Sequence, residues 1–136
     1  MKKTKKGFTL VELLVVIAII AILSTVAVVG YTSFVNTANK SAAQSEAHQI
    51  DVAIESALMN KKAVKLTGSI WVVKDTNGYK AQGTDPIDGD EIKPQDVEDL
   101  TADFQSFTIA VGANGTLTYA SHGYTVNVDT NEIINQ

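Results

Sequence analysis

Apolar residues form one long run near the start of the chain. No side chain from Leu13 to Leu23 is polar, and the run resumes from Val26 to Val29. As an α-helix, the 23 residues from Phe8 to Gly30 would span about 35 Å, enough to cross a bilayer core of about 30 Å. Four lysines precede the run, so we predict that the N-terminus stays cytoplasmic and that the rest is exported.

A helical pattern continues beyond the apolar run. Apolar residues then recur at the i, i+3, i+4, i+7, i+8 spacing of one helix face, at Ile50, Ala53, Ile54, Ala57 and Leu58. No proline occurs before Pro86. The pattern therefore predicts a single helix of roughly 50 residues, from Phe8 to about Asn60.

Period-two alternation replaces the helical pattern in the second half of the chain. Two β-rich runs, 69–74 and 79–82, flank Asn77-Gly78, a dipeptide typical of a type I′ hairpin turn. Residues 83–94 are rich in Gly, Pro and Asp and predict a loop. Pro94 to Asp103 predicts a short helix, because proline suits a first helical turn and acidic residues follow it.

A β-meander is predicted for the last third of the chain, with a final short strand at Ile133-Ile134. Its alternating apolar positions should mostly face the stripe of Ile50, Ile54 and Leu58. These positions are Phe107, Ile109, Val111, Leu117, Val126 and Val128. The predicted fold class is α+β: a long N-terminal helix packed through its C-terminal half on a four- or five-stranded antiparallel sheet.

One residue interrupts the apolar run. Glu12 is the single carboxylate between Phe8 and Gly30, and a charge at that depth is costly and usually meets a partner. The stretch Lys5-Lys6-Gly7-Phe8-Thr9-Leu10-Val11-Glu12 closely resembles the leader of a type IV prepilin. In that family a short basic leader ends in Gly, Phe begins the mature chain and Glu is its fifth residue. The resemblance covers roughly residues 1–31.

The resemblance implies three segments and three sites. Residues 1–7 would be a leader that is removed, 8–30 a transmembrane and filament-core helix, and 31–136 an exported domain with the αβ-roll of pilins. Cleavage would fall between Gly7 and Phe8, and Phe8 would be N-methylated. Glu12 would serve assembly by facing the Phe8 ammonium of a neighbouring subunit, which would fix the register of assembly more than it adds stability.

The resemblance also implies a set of partners. The chain would form a homopolymer through its N-terminal helices. A prepilin peptidase that cuts and N-methylates, an assembly ATPase and a membrane platform protein would act on it. The precursor would lie in the cytoplasmic membrane, and the product would be an extracellular pilus filament.

Several alternatives stand beside this interpretation. An ordinary signal peptide or single-pass anchor would also be apolar, and Thr25-Val26-Ala27 resembles a weak small-x-small cleavage site. Glu12 and the length of the run argue against that. For function, a pilin serving adhesion, motility or aggregation competes with a pseudopilin of a type II secretion or competence DNA-uptake machine. A membrane-tethered binding domain that never assembles is disfavoured by Glu12.

The charge, cysteine and histidine content of the chain limits which kinds of functional site it can form. The formal net charge is −4, and without the four lysines of the leader seven cations against fifteen acids give −8. No basic patch with interleaved aromatic residues occurs, so nucleic-acid binding is not expected. The chain has no cysteine, which excludes a disulfide, thiol catalysis and a zinc–thiolate site. The two histidines, His48 and His122, fall on different predicted elements, and we expect no enzymatic activity.

One acidic stretch is a candidate cation site. Asp85, Asp88, Asp90 and Glu91 place four acids within seven residues around a glycine. Oxygen-rich loops of this kind hold Ca²⁺ in some proteins, although the spacing does not match an EF-hand. Pseudopilins use a calcium loop in the same general region. A solvated loop is the favoured interpretation, with calcium as the weaker alternative and no other cofactor expected.

Overall fold

The computed structural model describes residues 7–87 and 91–135, and the chain divides into two units, 1–38 and 39–136. Its dominant element is α1, Leu10–Leu58, a helix of 49 residues. The predicted single helix from Phe8 to about Asn60 is therefore confirmed. Its last turn closes through hydrogen bonds from the amides of Met59 and Lys61 to the carbonyls of Glu55 and Ala57.

Two four-stranded sheets follow the helix. The first has the order β3-β2-β1-β4 and consists of β1 (Ala63–Thr67), β2 (Ile70–Asp75), β3 (Gly78–Gln82) and β4 (Val97–Asp99). The second has the order β5-β6-β7-β8 and consists of β5 (Thr108–Val111), β6 (Leu117–Ser121), β7 (Tyr124–Asn127) and β8 (Ile133–Asn135). Short 3-10 turns occupy Pro94–Asp96 and Ala113–Gly115.

The α+β class is confirmed, but the structure has two four-stranded sheets where the alternation predicted one sheet of four or five strands. The meander of the last third is the second sheet, antiparallel throughout. The first sheet is mixed, because β4 pairs parallel with β1, with Ala63 opposite Val97. The short helix predicted from Pro94 to Asp103 is wrong beyond its first turn. From Val97 on, the backbone pairs with β1 as a strand instead of forming helical hydrogen bonds. The Leu100 amide extends this pairing by donating to the Lys65 carbonyl at 2.8 Å.

The hairpin between β2 and β3 is confirmed, but its turn lies one residue earlier than predicted. Asp75 pairs with Gly78, so Thr76 and Asn77 occupy the centre of the turn. Among the described non-glycine residues only Asn114, His122 and Asn131 have positive φ. A type I′ turn needs positive φ at both central residues, so the predicted type I′ turn at Asn77-Gly78 is wrong.

The core lies within the second unit. Ile50 and Ile54 are fully buried there and Leu58 is nearly so, in one cluster with residues of both sheets. All predicted sheet positions belong to this cluster or pack against it: Ile109, Leu117, Val126 and Val128 as buried members, and Phe107 and Val111 as partly buried neighbours. The first sheet contributes Val64, Leu66, Val72 and Ala81. The predicted core is confirmed, and the first sheet enlarges it.

Candidate assembly site

The start of α1 is fixed by a reciprocal pair of residues. Thr9 directly precedes the helix and Glu12 is its third residue. The Thr9 amide and hydroxyl both donate to Glu12 Oε2, each at 2.8 Å, and the Glu12 amide donates to Thr9 Oγ1 at 3.2 Å. This is a capping box, which satisfies amide groups that a helix start otherwise leaves unpaired. The Thr-x-x-Glu spacing that signals it was present in the sequence.

The capping box sets the position of the Glu12 carboxylate. Among the described residues, both hydrogen bonds to this carboxylate go to Oε2. Oε1 therefore keeps its lone pairs for a further donor. Gly7, Phe8 and Glu12 lie together within six residues at the helix start, and the Phe8 side chain is 86% exposed. Cleavage at Gly7–Phe8, methylation of Phe8 and the assembly role of Glu12 stay predictions.

The helix that follows this start is apolar and uncovered. The large apolar side chains from Leu13 to Val29 are each between 46% and 70% exposed. A continuous apolar surface of this kind marks contact with lipid or with other proteins. Among the described residues α1 is the one helix long and apolar enough, by length and composition, to cross a membrane.

The two hydroxyl groups within the apolar part of this helix, those of Ser24 and Thr25, are bonded within the helix. Ser24 Oγ donates to the Ile20 carbonyl and Thr25 Oγ1 to the Ile22 carbonyl, each at 2.7 Å. Bonds of this type pair a polar side chain within its own helix. Both residues therefore fit an apolar environment, in which an unpaired polar group costs several kcal/mol.

Polar contacts join the second half of the helix to both sheets. The Tyr79 hydroxyl donates to Asp51 Oδ1 at 2.8 Å, and burial, helped by this bond, raises the pKa of Tyr79 well above its usual range. The Tyr119 hydroxyl donates to Glu46 Oε2 at 2.8 Å. That hydrogen bond lowers the pKa of Glu46, while burial raises the pKa of Tyr119. In a chain without cysteine, such contacts help to hold the helix against the sheets.

The two histidines lie in different settings. His48 is exposed on the helix, whereas His122 lies in the β6–β7 turn with its Nε2 3.4 Å from Glu46 Oε1. The contact between His122 and Glu46 was not foreseen, because 76 residues separate them. Both side chains of this contact are partly exposed, that of His122 by 41% and that of Glu46 by 34%.

The acidic stretch is only partly described. Asp88 and Asp90 lie outside the described residues. Asp85 is exposed and its Oδ1 accepts a hydrogen bond from the Ile87 amide at 2.9 Å. Glu91 is exposed, and its backbone carbonyl accepts a bond from Lys62 Nζ. Within the described ranges no three acidic, His or Cys side chains are grouped to hold a metal ion. The calcium alternative stays a prediction.

Comparison with known proteins finds a family match to the N-terminal region of this chain and similarity to individual proteins. Residues 2–28 match the family described as "Prokaryotic N-terminal methylation motif". The chain is similar to type IV major fimbrial proteins FimA of Dichelobacter nodosus. One is 42% identical over 65 residues, which are 48% of this chain and 42% of that protein. A second is 42% identical over 62 residues, which are 46% of this chain and 39% of that protein.

These matches confirm the resemblance to type IV pilins. The similarity is partial, because the chain spans only about two-fifths of the length of the curated relatives it matches. No solved structure matches the chain. The pilin similarity and the apolar helix together fit a membrane-anchored precursor and a fimbrial filament.

Proposed function

Because this chain carries an N-terminal methylation motif and resembles type IV pilins, we propose that it is a structural subunit of an extracellular type IV pilus. In this proposal it is inserted as a precursor in the cytoplasmic membrane, cut and N-methylated by a prepilin peptidase, and assembled with the help of an ATPase and a platform protein. The filament would serve adhesion, motility or aggregation. The proposed role is structural rather than catalytic.

The uncovered apolar helix with a capped carboxylate at its start carries the proposal. The helix exposes its large apolar side chains from Leu13 to Val29, and leaving such surface in water would cost roughly 25 cal/mol per Å². In the precursor, lipid would cover this surface. In a filament, the same surface of other copies would cover it. Apolar contacts are non-directional, so they do not by themselves fix the axial position of one helix relative to its neighbour. When helices move from lipid into a bundle, a polar contact would set that position.

Glu12 is the residue that would supply this polar contact. Cleavage after Gly7 would create an ammonium at Phe8, and Glu12 Oε1 is the carboxylate oxygen that Thr9 leaves without a bond. A buried charge that loses its partner is destabilising by roughly 3–5 kcal/mol. A subunit that docks in the wrong register would leave both charges unpaired, so the correct register is selected by that penalty.

Processing tests the proposal first. Surface material sheared from cells should contain this chain beginning at Phe8, with the mass of one added methyl group, by terminal sequencing and intact mass. A Gly7→Val chain is the matched control. Its branched side chain beside the cleaved bond should leave the chain at precursor mass.

Two outcomes would contradict the processing prediction. A mature chain that starts at Val28 would identify an ordinary signal peptide cut after Thr25-Val26-Ala27. An exported chain that still begins at Met1 would identify an uncut membrane anchor.

A further inference from the structure

Positive and negative side chains are separated along the exported part of the chain. Residues 61–82 hold five lysines and one acid, a net charge of +4. Residues 83–103 hold one lysine and eight acids, a net charge of −7. This segregation is along the sequence, because in the first sheet β1 lies beside β4 and Lys65 is opposite Asp99.

Among the described residues, the lysines form no ion pair with a carboxylate. Lys61 Nζ donates to the Gln95 carbonyl at 2.9 Å and Lys62 Nζ to the Glu91 carbonyl at 2.7 Å, both backbone acceptors. Over residues 7–87 and 91–135, no lysine ammonium lies within 4.0 Å of a carboxylate. Within the part of the chain that the structure describes, the two lysines therefore bind neutral backbone groups, and no carboxylate of that part neutralises them.

A groove lies where this positive charge is concentrated. It is lined by the end of α1, by β2 and by the end of the acidic stretch, through Leu58, Met59, Lys61, Lys62, Lys74, Glu91 and Ile92. Met59 is 80% exposed and Lys62 and Lys74 are exposed as well. We call this feature the lysine groove. It combines the exposed Met59 side chain with three cations and one acid, Glu91, a net charge of +2 that suits an acidic occupant.

The same chain carries a surface of the opposite charge. Strand β4 is an edge of the first sheet, and the exposed carboxylates of Asp99 and Asp103 lie at its end and in the turn after it. The Thr101 amide donates to Asp99 Oδ1 at 2.9 Å, and hydrogen bonding by Thr101 lowers the pKa of Asp99, which keeps this carboxylate ionised. We call Asp99 and Asp103 the acidic edge.

We propose that the lysine groove of one subunit binds the acidic edge of a second copy of this chain. The two surfaces are different parts of one molecule, so the contact is heterologous, and a heterologous contact that does not close into a ring generates an open filament. The proposal rests on the proposed function and adds a second contact, outside the apolar helix. Complementary charge would orient each arriving subunit before its helix is buried.

Charge reversal in full-length chains tests the proposal. We expect Lys61→Glu with Lys62→Glu, and separately Asp99→Lys with Asp103→Lys, to lower the count of sheared surface filaments by about tenfold or more, because juxtaposed like charges disfavour a contact. The chain that combines all four reversals should recover filaments. Lys40→Glu, an exposed lysine outside the groove, is the matched control and should leave the count unchanged.

The outcomes separate this contact from the proposed function. Absence of filaments from the unaltered chain would contradict the proposed function itself. Normal filament numbers from either charge-reversed pair would overturn the lysine groove contact alone. Loss that the combined chain does not recover would also overturn it, since the lysines would then serve another anion.

Cross-linking gives a second measurement that does not alter the charges. Because the chain has no cysteine, Asn60→Cys in one full-length chain and Ala102→Cys in another, distinguished by mass, supply the only thiols of mixed filaments, and the readout is the dimer of the two different chains. We expect an oxidised dimer from these filaments, since Asn60 borders the groove and Ala102 lies between the two acids. Replacing Ala102→Cys by Thr130→Cys, an exposed position in the loop before β8, provides the control. Equal dimer yields from both pairs would overturn the proposal.

Discussion

Thr9 and Glu12 fix the start of the long helix through hydrogen bonds in both directions. The carboxylate therefore has a structural role in the isolated subunit in addition to its proposed role between subunits. The two roles use different oxygens, because Thr9 binds Oε2 and leaves Oε1. Thr9 is thus a positioning residue for the carboxylate that the proposed assembly contact needs.

Replacing Thr9 tests this positioning role. Thr9→Val keeps the shape of the side chain but removes the hydroxyl, so we expect a loss of about 1 kcal/mol at the helix start. Hydrogen exchange of the first-turn amides in detergent should become faster. Thr9→Ser keeps the hydroxyl and should behave like the unaltered chain. Equal exchange rates for Thr9→Val and the unaltered chain would show that the capping box does not stabilise this turn.

The contact between Tyr119 and Glu46 makes a prediction about pH. The pKa of Glu46 is lowered in the folded chain, so its ionised form stabilises the fold. This contribution is complete above the ordinary glutamate pKa of about 4.3 and is lost as the pH falls through the lowered folded pKa. In a soluble fragment from Tyr31 on, Tyr119→Phe should lower the free energy of unfolding by about 1 kcal/mol at neutral pH.

The neighbouring imidazole supplies a control for this pH dependence. Denaturant melts should show that the difference between Tyr119→Phe and the unaltered fragment shrinks between about pH 5 and pH 3. His122 has a φ of 53°, which asparagine also adopts, so His122→Asn removes the imidazole without new backbone strain. The same shrinkage should occur in that background. A difference that is constant with pH would contradict the assigned role of Glu46.

At the scale of elements, the second half of α1 is stabilised by packing against both sheets. Ile54 on the helix and Ile109 on β5 belong to one buried cluster. Truncation of either to alanine should destabilise the fragment from Tyr31 on by about 2–5 kcal/mol. Val52→Ala, at a half-exposed position of the same helix, is the control and should have a much smaller effect. Unchanged denaturant midpoints for both core variants would place the core elsewhere.

The sequence predicted the elements whose signal is local. The helix followed from its apolar spacing, and the second sheet followed from alternation between Phe107 and Val128. Strand β4 was missed because it pairs with β1, where Ala63 lies opposite Val97 far away in sequence, and because Val97–Asp99 carries two acids. Strand β1 was missed although it also pairs with its sequence neighbour β2. The capping box was missed although its Thr-x-x-Glu signal is local, because a carboxylate within an apolar run indicates a partner outside the chain.

The contacts between elements could not be predicted from the sequence, because they join residues that are far apart along the chain. The hydrogen bond from Tyr119 to Glu46 spans 73 residues, and nothing local to either residue indicates the other. The hairpin turn between β2 and β3 also shows the limit of a dipeptide signal. Asn77-Gly78 was correctly assigned to a hairpin, but pairing of Asp75 with Gly78 decided which residues form the turn.

For the whole molecule, assembly would use two kinds of contact, one through the apolar helix and one through the charged surfaces of the exported part. The apolar helix supplies most of the surface that assembly would bury, and Glu12 selects the register in which it is buried. The lysine groove and the acidic edge would orient the exported parts of the subunits. A chain that loses its four leader lysines carries a net charge of −8, so separated patches of both signs also reduce the repulsion between copies.

Substitution of Glu12 is the most direct measurement of the central claim. Cells with no native copy would make Glu12→Ala, Glu12→Gln or Glu12→Asp, with Glu132→Gln, an exposed acid far along the chain, as the control. A blot of the membrane fraction would stand beside a count of sheared surface filaments. Insertion and cleavage should persist, since removal of a charge makes the segment more apolar.

We predict few or no filaments from Glu12→Ala and Glu12→Gln, because each contact would leave a neighbour's Phe8 ammonium unpaired at a penalty of roughly 3–5 kcal/mol. Glu12→Asp should assemble in part, since its carboxylate is one methylene short. The control should give normal numbers. Filaments in normal number from Glu12→Ala would contradict the account, because the carboxylate would then not set the register.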